Sequence, residues 1–288
     1  MKPERLLKVV EQKSASPAGI ALPFVKWVGG KRGLLPSIKS HMPAEFNDYH
    51  EPFLGGGAVF WAVGSKAKNA FLSDRNLELV ITYRVIKEDP THLIARLKEH
   101  SEAHQENGSD YYYEVRAAEP TEPVEVAARF IYLNKTCFNG LYRVNRRGKF
   151  NVPVGSYKNP NIIQEENILA CHKALKNATI KLGNFDSITP EKGDFVYFDP
   201  PYHPLNDTSF TEYTQDNFHA ASQTELRDFA LKLHRQGVRV MLSNSHCDFI
   251  KNLYSSKVFR KHIVQAPRFV NSKADARGVV DEYLITNY

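Results

Sequence analysis

"FVYFDPPYHP", residues 195–204, is the stretch on which the reading of this chain turns. Phe195 to Phe198 form a short apolar run with the pattern of a buried strand. Asp199 follows at once, and then Pro200 and Pro201, which cannot donate to a sheet ladder and so end the strand. A carboxylate is thereby set at the rim of a sheet. The prolines have fixed φ and no N–H, yet their carbonyls remain acceptors. Tyr202 places a ring beside them. An amino group on a planar base suits such a site. Asp199 and the Pro200 carbonyl can accept its two hydrogens and draw the nitrogen toward tetrahedral geometry, which frees the lone pair to attack. Tyr202 can stack on the base. The plain alternative is a turn with an incidental carboxylate.

Two other expected strand ends carry polar or glycine-rich elements. "YHEPFLGGGAVFWAV", residues 49–63, reads as a short strand, a glycine turn and a helix entry, and "NAFLSDRN", residues 69–76, as a strand ending in Asp74. Glycines between strand and helix let a ligand approach the backbone closely. The run lacks the GxGxxG spacing of dinucleotide binders, and no Walker lysine pattern follows it. A carboxylate at Asp74 can accept hydrogen bonds from ribose hydroxyls, so the pair suggests a nucleoside-containing ligand. A tight structural turn and an Asp74 that merely caps the next helix fit as well. In open α/β sheets, ligands bind beyond the carboxyl ends of the strands. Gly55–Gly57, Asp74 and Asp199 all fall at such ends.

The remainder alternates in the same manner at both ends of the chain. "PFVKWVGGKRGLLPSI", residues 23–38, reads as a turn at Gly29-Gly30 and then a helical segment. Apolar residues recur near helical spacing from Asn76 to about Lys98. Residues 101–125 are polar and acidic. "VEVAARFIYLNKTCFNGLYRVN" reads as a helix and then a loop at Asn139-Gly140. Residues 143–160 are rich in Gly, Pro, Asn and cations, and "YRVNRRGK", residues 142–149, packs four cations into eight residues. The α/β rhythm then resumes. "TIKLGNF", "DFVYF", "VRVMLSN" and "DEYLITNY" predict strands, and "ASQTELRDFALKLHRQG" predicts a helix ending at Gly237. The fold class is α/β, with a helical and basic insert between two α/β stretches.

With 288 residues, 42% hydrophobic and 24% charged, the composition is that of an ordinary globular protein. No stretch is apolar enough for a membrane span. Lys8 and Glu11 interrupt the N-terminal segment, which reads as a flexible arm and not a secretory signal. Cys137, Cys171 and Cys247 are odd in number and far apart, against a disulfide framework or a CxxC metal site. His41, His50, His203 and His246 have no metal-ligand spacing, so no metal is expected. The net charge of +6 permits an anionic partner.

From about Pro23 to Tyr288 the chain resembles the Dam-type DNA adenine-N6 methyltransferases that use S-adenosylmethionine, the D12 class. The motifs that carry the resemblance are "FVKWVGGKRGLLP", "EPFLGGGAVF", "LSDRN", "NKTCFNGLYRVNRRGKFNVPVGSYKNP", "FVYFDPPY" and "ITNY". The glycine motif precedes the Asp-Pro-Pro-Tyr motif with the insert between, which is the order of group alpha. The resemblance implies a Rossmann-like methyltransferase sheet with an inserted helical target-recognition domain. The expected divisions are an N-terminal arm at 1–22, a catalytic domain at 23–75 and 165–288, and the recognition insert at 76–164.

By the same resemblance, Trp27, Lys31, Phe53, Gly55, Gly57, Asp74, Asn184, Phe185 and Asp199 belong to the S-adenosylmethionine site. Asn184 stands where similar enzymes often have Asp, a departure that keeps an acceptor and loses a charge. Asp199, Pro200 and Tyr202 form the catalytic element. Asn139, Leu141 and Arg143 match positions that read bases in the major groove, and Lys26 one that contacts an outer guanine. Arg suits guanine O6 and N7, Asn the adenine edge, and Leu141 or Pro153 a thymine methyl. Phe138 matches an aromatic wedge. Arg146, Arg147, Lys149 and Tyr157 are expected on phosphates. The implied partner is double-stranded DNA, read at GATC, with a flipped adenine and in-line transfer. A cognate restriction endonuclease making no direct contact, a monomeric state and a cytoplasmic location in a bacterial, phage or viral DNA compartment complete the expectation. The rivals are another site, cytosine N4, RNA or protein glutamine as substrate, and a non-catalytic DNA-binding scaffold.

Overall fold

The computed structural model describes residues 19–204, 218–267 and 279–288. Most of the expected N-terminal arm, residues 1–18, lies outside them. The core is a seven-stranded sheet of order β3-β2-β1-β4-β5-β7-β6. Its strands are β1 (Tyr49–Glu51), β2 (Ala70–Asp74), β3 (Ala178–Leu182), β4 (Phe195–Phe198), β5 (Arg239–Ser245), β6 (Arg260–Pro267) and β7 (Val279–Thr286). The first five run parallel, and β7 is antiparallel to both β5 and β6. The strand order leaves β1 toward β2 and β3 on one side and returns through β4 and β5 on the other. The switch point therefore lies between β1 and β4, where their carboxyl ends open a crevice.

Strand alternation explains how one sheet buries two faces. Phe195 and Tyr197 of β4 join one apolar cluster, and Val196 and Phe198 join the other. Met241 of β5 and Leu284 of β7 point to the first face, while Val240, Leu242, Tyr283 and Ile285 point to the second. All four β4 residues are buried, as expected for a strand covered on both sides. Asp199 continues the parity of Tyr197 and so faces the first cluster.

Helices α1 (Leu35–His41), α2 (Ala58–Ala62), α3 (Leu77–Glu88), α4 (Pro90–Ala117), α5 (Pro123–Thr136) and α6 (Glu165–Ala174) contribute to the first face or the insert above it. The helical stretch expected from Asn76 to Lys98 is two helices, because Asp89 departs from helical geometry and Pro90 starts the next one. The polar residues 101–117, read from sequence only as a change in character, continue α4 past a break at Gly108 (φ 54°, ψ −121°). The expected insert boundary at residue 76 falls at the start of α3, which packs on β2 and β3 and also on α5. Helix α7 (Ala220–Arg235) and helix α8 (Asp248–Leu253) serve the second face. Gly237 (φ 78°) closes α7, with Val238 N–H reaching back to Leu233 O at 3.0 Å. Strand β6 was not legible in the sequence, since "RKHIVQAP" places Lys261 and His262 amid its apolar residues. No helix among the described residues is long and apolar enough to cross a membrane.

Candidate active site

The glycine turn follows β1 and the Asp-Pro-Pro-Tyr loop follows β4, on either side of the switch point. Asp199 is held by Lys31, whose Nζ lies 2.8 Å from Oδ1 and also donates to Gly29 O at 2.5 Å. The Lys31 side chain is 7% exposed and that of Asp199 20%, so the pair is shielded from most solvent while the carboxylate keeps an open side. Burial pushes the Asp199 carboxyl up and Lys31 partly offsets it. The same ammonium lies 4.7 Å from the centre of the Tyr202 ring. Tyr202 donates its hydroxyl to Glu282 Oε2 at 2.6 Å. Burial, with Asp199 and Glu282 nearby, holds that phenol well above its ordinary range, so it stays a neutral donor.

The loop is pinned from beneath. Gln223 of α7 donates Nε2 to Pro201 O at 2.9 Å, and its Oε1 accepts from Asn244 Nδ2 at 2.9 Å. Asn244 Oδ1 accepts from His203 N and Ser245 N, and Ser245 Oγ donates to His203 O. Gln223 and Asn244 are fully buried. The Pro200 carbonyl thus sits between Asp199, held by Lys31, and residues 201 and 203, tied to α7 and β5.

Asp74 ends β2 beside the glycine turn. Its Oδ2 accepts from Gly55 N at 2.9 Å and its Oδ1 from Asn76 N at 2.9 Å. Asp74 does not cap α3. Asn76 does, accepting from Leu79 N at 2.9 Å. Gly55 has φ 48°, and a Cβ there would lie 2.6 Å from the Trp27 ring, so the indole takes the place of a side chain. Gly57 has φ 66°, and a Cβ would meet the Tyr83 hydroxyl at 2.6 Å, which itself donates to Gly55 O at 3.0 Å. Beyond β3, Gly183 N donates to Asp74 O at 3.1 Å, which brings the Asn184-Phe185 turn to the same rim. Phe53 stacks on Phe185 at 5.6 Å with 21° between the planes. Phe198 and Phe218 meet Phe53 edge-on. Every expected cofactor residue therefore lies along the carboxyl rim of β1 to β4 or in the loop before α1. A glycine turn backed by Trp27 and Tyr83, a fixed carboxylate and an aromatic wall fit a nucleoside with an attached amino acid.

The residues expected on DNA form a second group. Loop 137–157 leaves α5, and bridges at Cys137–Val154 and Val144–Phe150 fold it back on itself. Phe138 is half exposed, with its N–H on Pro153 O at 2.9 Å, and Asn139 takes φ 55°. Arg143 donates Nε to Asn151 Oδ1 at 2.7 Å and Nη2 to Asn151 O at 3.2 Å. Leu141 is half-buried against the core. Arg146, Arg147 and Pro153 are exposed. Lys149, also exposed, pairs with Glu119. Lys26 joins this group from outside the insert, donating to Tyr157 OH at 3.0 Å and lying 4.4 Å from its ring centre.

Several residues that matter to this geometry were not singled out in the sequence. Glu282, Gln223 and Asn244 are remote in sequence from the residues they hold. Glu51 opens the glycine motif and is almost fully buried, taking the Tyr49 hydroxyl at 2.7 Å. Burial is the main force that pushes its carboxyl up to about 8. Lys135, on α5, is pushed down to about 7 by burial and by the cations of Lys26 and Arg32. Among the described residues no group of three His, Cys, Asp or Glu is placed to hold a metal.

The family described as D12 class N6 adenine-specific DNA methyltransferase matches residues 27–269. Among similar proteins, the type II methyltransferase M1.LlaDCHI of Lactococcus lactis subsp. cremoris is 43% identical, covering 92% of this chain and 95% of that one. The type II methyltransferase M.MjaIII of Methanocaldococcus jannaschii is 42% identical, covering 92% and 99%. A DNA adenine methylase of Haemophilus influenzae is 32% identical, covering 95% and 96%.

Proposed function

The chain belongs to the D12 class of N6 adenine-specific DNA methyltransferases, and from that premise we propose that it methylates adenine within GATC in duplex DNA, on a base turned out of the helix. It is an enzyme, its methyl donor is S-adenosylmethionine and its substrate is DNA. When bound, S-adenosylmethionine supplies a methyl group on a sulfonium, an electrophile that a nitrogen lone pair can take in line.

The observation that carries the reading is the Asp199–Tyr202 loop at the β1/β4 switch point, pinned by Lys31, Gln223 and Glu282. Adenine N6 is buried in pairing inside a duplex. Turning the base out costs a few kcal/mol, which pocket contacts repay. The Asp199 carboxylate and the Pro200 carbonyl accept the two amino hydrogens, and the Tyr202 ring stacks on the base. The nitrogen loses its conjugation with the ring and gains a lone pair. Asp199 acts as an acceptor and no strong base is needed, because the proton departs to solvent after transfer. Holding the reacting atoms in line supplies much of the rate. Trp27, Gly55, Gly57, Asp74, Phe53 and Phe185 hold the donor, and Lys31 lies between donor and acceptor sites.

Lys26, Asn139, Leu141 and Arg143 read the bases, Phe138 wedges against the stack, and Arg146, Arg147, Lys149 and Tyr157 hold phosphates. The segment 76–164 serves as the recognition domain and the rest as the catalytic domain, acting as a monomer in the compartment that holds the DNA. The type II relatives favour pairing with a restriction endonuclease.

The test is transfer of labelled methyl to three duplexes: one with GATC, one with GATC already methylated at N6 on both strands, and one scrambled. Labelling of the first alone supports the base and the site. Equal labelling of the first and third keeps the chemistry and removes GATC. Asp199→Ala should abolish transfer while leaving DNA binding largely intact, and near-normal turnover by that variant would overturn the mechanism.

A further inference from the structure

Lys26 lies outside the insert, yet it is expected to read DNA together with a loop more than a hundred residues away. Something must set the distance between them. Asn134, in the last turn of α5, is 3% exposed and spends its amide on three backbone groups. Its Oδ1 accepts from Lys26 N at 2.8 Å, and its Nδ2 donates to Lys26 O at 2.8 Å and to Gly140 O at 3.0 Å. One side chain thus clasps both peptide groups of Lys26 and the centre of the 137–157 loop.

The fit is tight on the other side as well. Gly140 has φ 64°, and a Cβ there would lie 2.4 Å from Lys26 Cδ and 2.8 Å from its Cβ. The bare glycine lets the Lys26 stem lie directly on the loop. The chain before Lys26 is held in the same way: Asn167 pairs with Leu22 N and O, and Gln164 donates to Phe24 O. Three amides, Asn134 and Gln164 of the insert and Asn167 of α6, take the place of a neighbouring strand along residues 22–26.

We propose that Asn134 is a specificity-determining positioning residue: by clasping Lys26 and Gly140 together, it sets the register between the two parts of the DNA-reading surface. It acts through those groups and touches no base itself. The inference rests on the reading of Lys26 and the 137–157 loop as base contacts. An amide is suited to this task because it has both an acceptor and donors. Aspartate would keep the contact to Lys26 N–H and turn an acceptor toward two carbonyls.

The experiment first identifies the wild-type enzyme's preferred site by methylating a library of random duplexes. It then compares kcat/KM on that site with kcat/KM on its single-base variants for wild type, Asn134→Ala and Asn134→Asp. Thermal midpoint and S-adenosylmethionine affinity are followed alongside. Both variants should bind the cofactor as wild type does and lose about tenfold in discrimination, chiefly at one outer position, the scale of one base contact. Lys26→Ala combined with Asn134→Ala should discriminate no worse there than Lys26→Ala alone. An equal fall in rate on every duplex, with the ratios unchanged, would overturn the proposal, and so would additive losses in the double variant. If the Asn134 variants do not fold, Gly140→Ala opens the same contact from the loop side and should relax the same position; unchanged ratios in it would again overturn the proposal. A wild-type enzyme with no preference at any position would instead overturn the base-reading role itself, and the clasp with it.

Discussion

The ammonium of Lys31 lies 2.8 Å from Asp199 Oδ1 while it donates to the carbonyl of Gly29. The loop before α1 therefore holds the carboxylate that follows β4. Burial pushes the Asp199 carboxyl up and Lys31 is the main opposing influence. Lys31→Met removes that influence, so the carboxyl rises further and less of it is ionised at a given pH. The proposed mechanism requires the carboxylate, so the acid limb of the kcat/KM profile should move to higher pH. Activity at neutral pH should fall by about a hundredfold and partly recover on the alkaline side. A loss of the same size at every pH would mean that Lys31 acts on the cofactor alone.

Tyr202 has two separable parts. Its hydroxyl binds Glu282 Oε2 at 2.6 Å, and its ring faces Lys31 at 4.7 Å. If stacking on the target base is its task, Tyr202→Phe should stay within about tenfold of wild-type turnover, while Tyr202→Ala should lose on the order of a hundredfold, the range of one base–aromatic contact. Equal losses in the two variants would assign the role to the hydroxyl.

Much of this site was legible in the sequence for a physical reason. Asp74 ends a short strand, Asp199 follows one directly and the glycine turn comes a few residues after another, and parallel strands bring their carboxyl ends to one rim. Local sequence was enough to place them. What was not legible depends on pairings across the fold. Glu282 reaches Tyr202 across 80 residues and Asn134 reaches Lys26 across 108, and no local pattern marks such amides or carboxylates. Strand β6 was missed because it is an outer strand of the sheet, where Lys261 and His262 interrupt the apolar pattern.

Gln223 is buried on α7 and donates to Pro201 O while accepting from Asn244. Gln223→Ala leaves the Pro201 carbonyl and the buried Asn244 amide without this partner, so the Asp199–Tyr202 loop loses its fixed position. The unmet groups should cost about 1–3 kcal/mol in stability. Turnover should drop by about tenfold or more, with the KM for S-adenosylmethionine little changed, because the hydrogen bonds of Gln223 go to Pro201 and Asn244, neither of them assigned to the cofactor. A rise in that KM at constant kcat would place Gln223 with the donor site.

Glu51 provides a test of the electrostatics at the same switch point. It is 2% exposed, accepts from Tyr49 at 2.7 Å, and its carboxyl is pushed up to about 8, by burial first. Between the ordinary 4.5 and about 8, the folded chain holds a proton that the unfolded chain has released. Stability must therefore fall as pH rises through that window, and below it Glu51 makes no difference. Glu51→Gln keeps an acceptor for Tyr49 and cannot ionise. One pKa unit corresponds to about 1.4 kcal/mol, which caps the effect on the order of 5 kcal/mol, and relaxation around the charge should bring it to ~2 kcal/mol. Urea unfolding of the cofactor-free protein should show wild type and variant alike near pH 5 and the variant more stable near pH 8. If both lose stability in parallel across the window, the titrating group lies elsewhere and Glu51 is ionised in the folded enzyme.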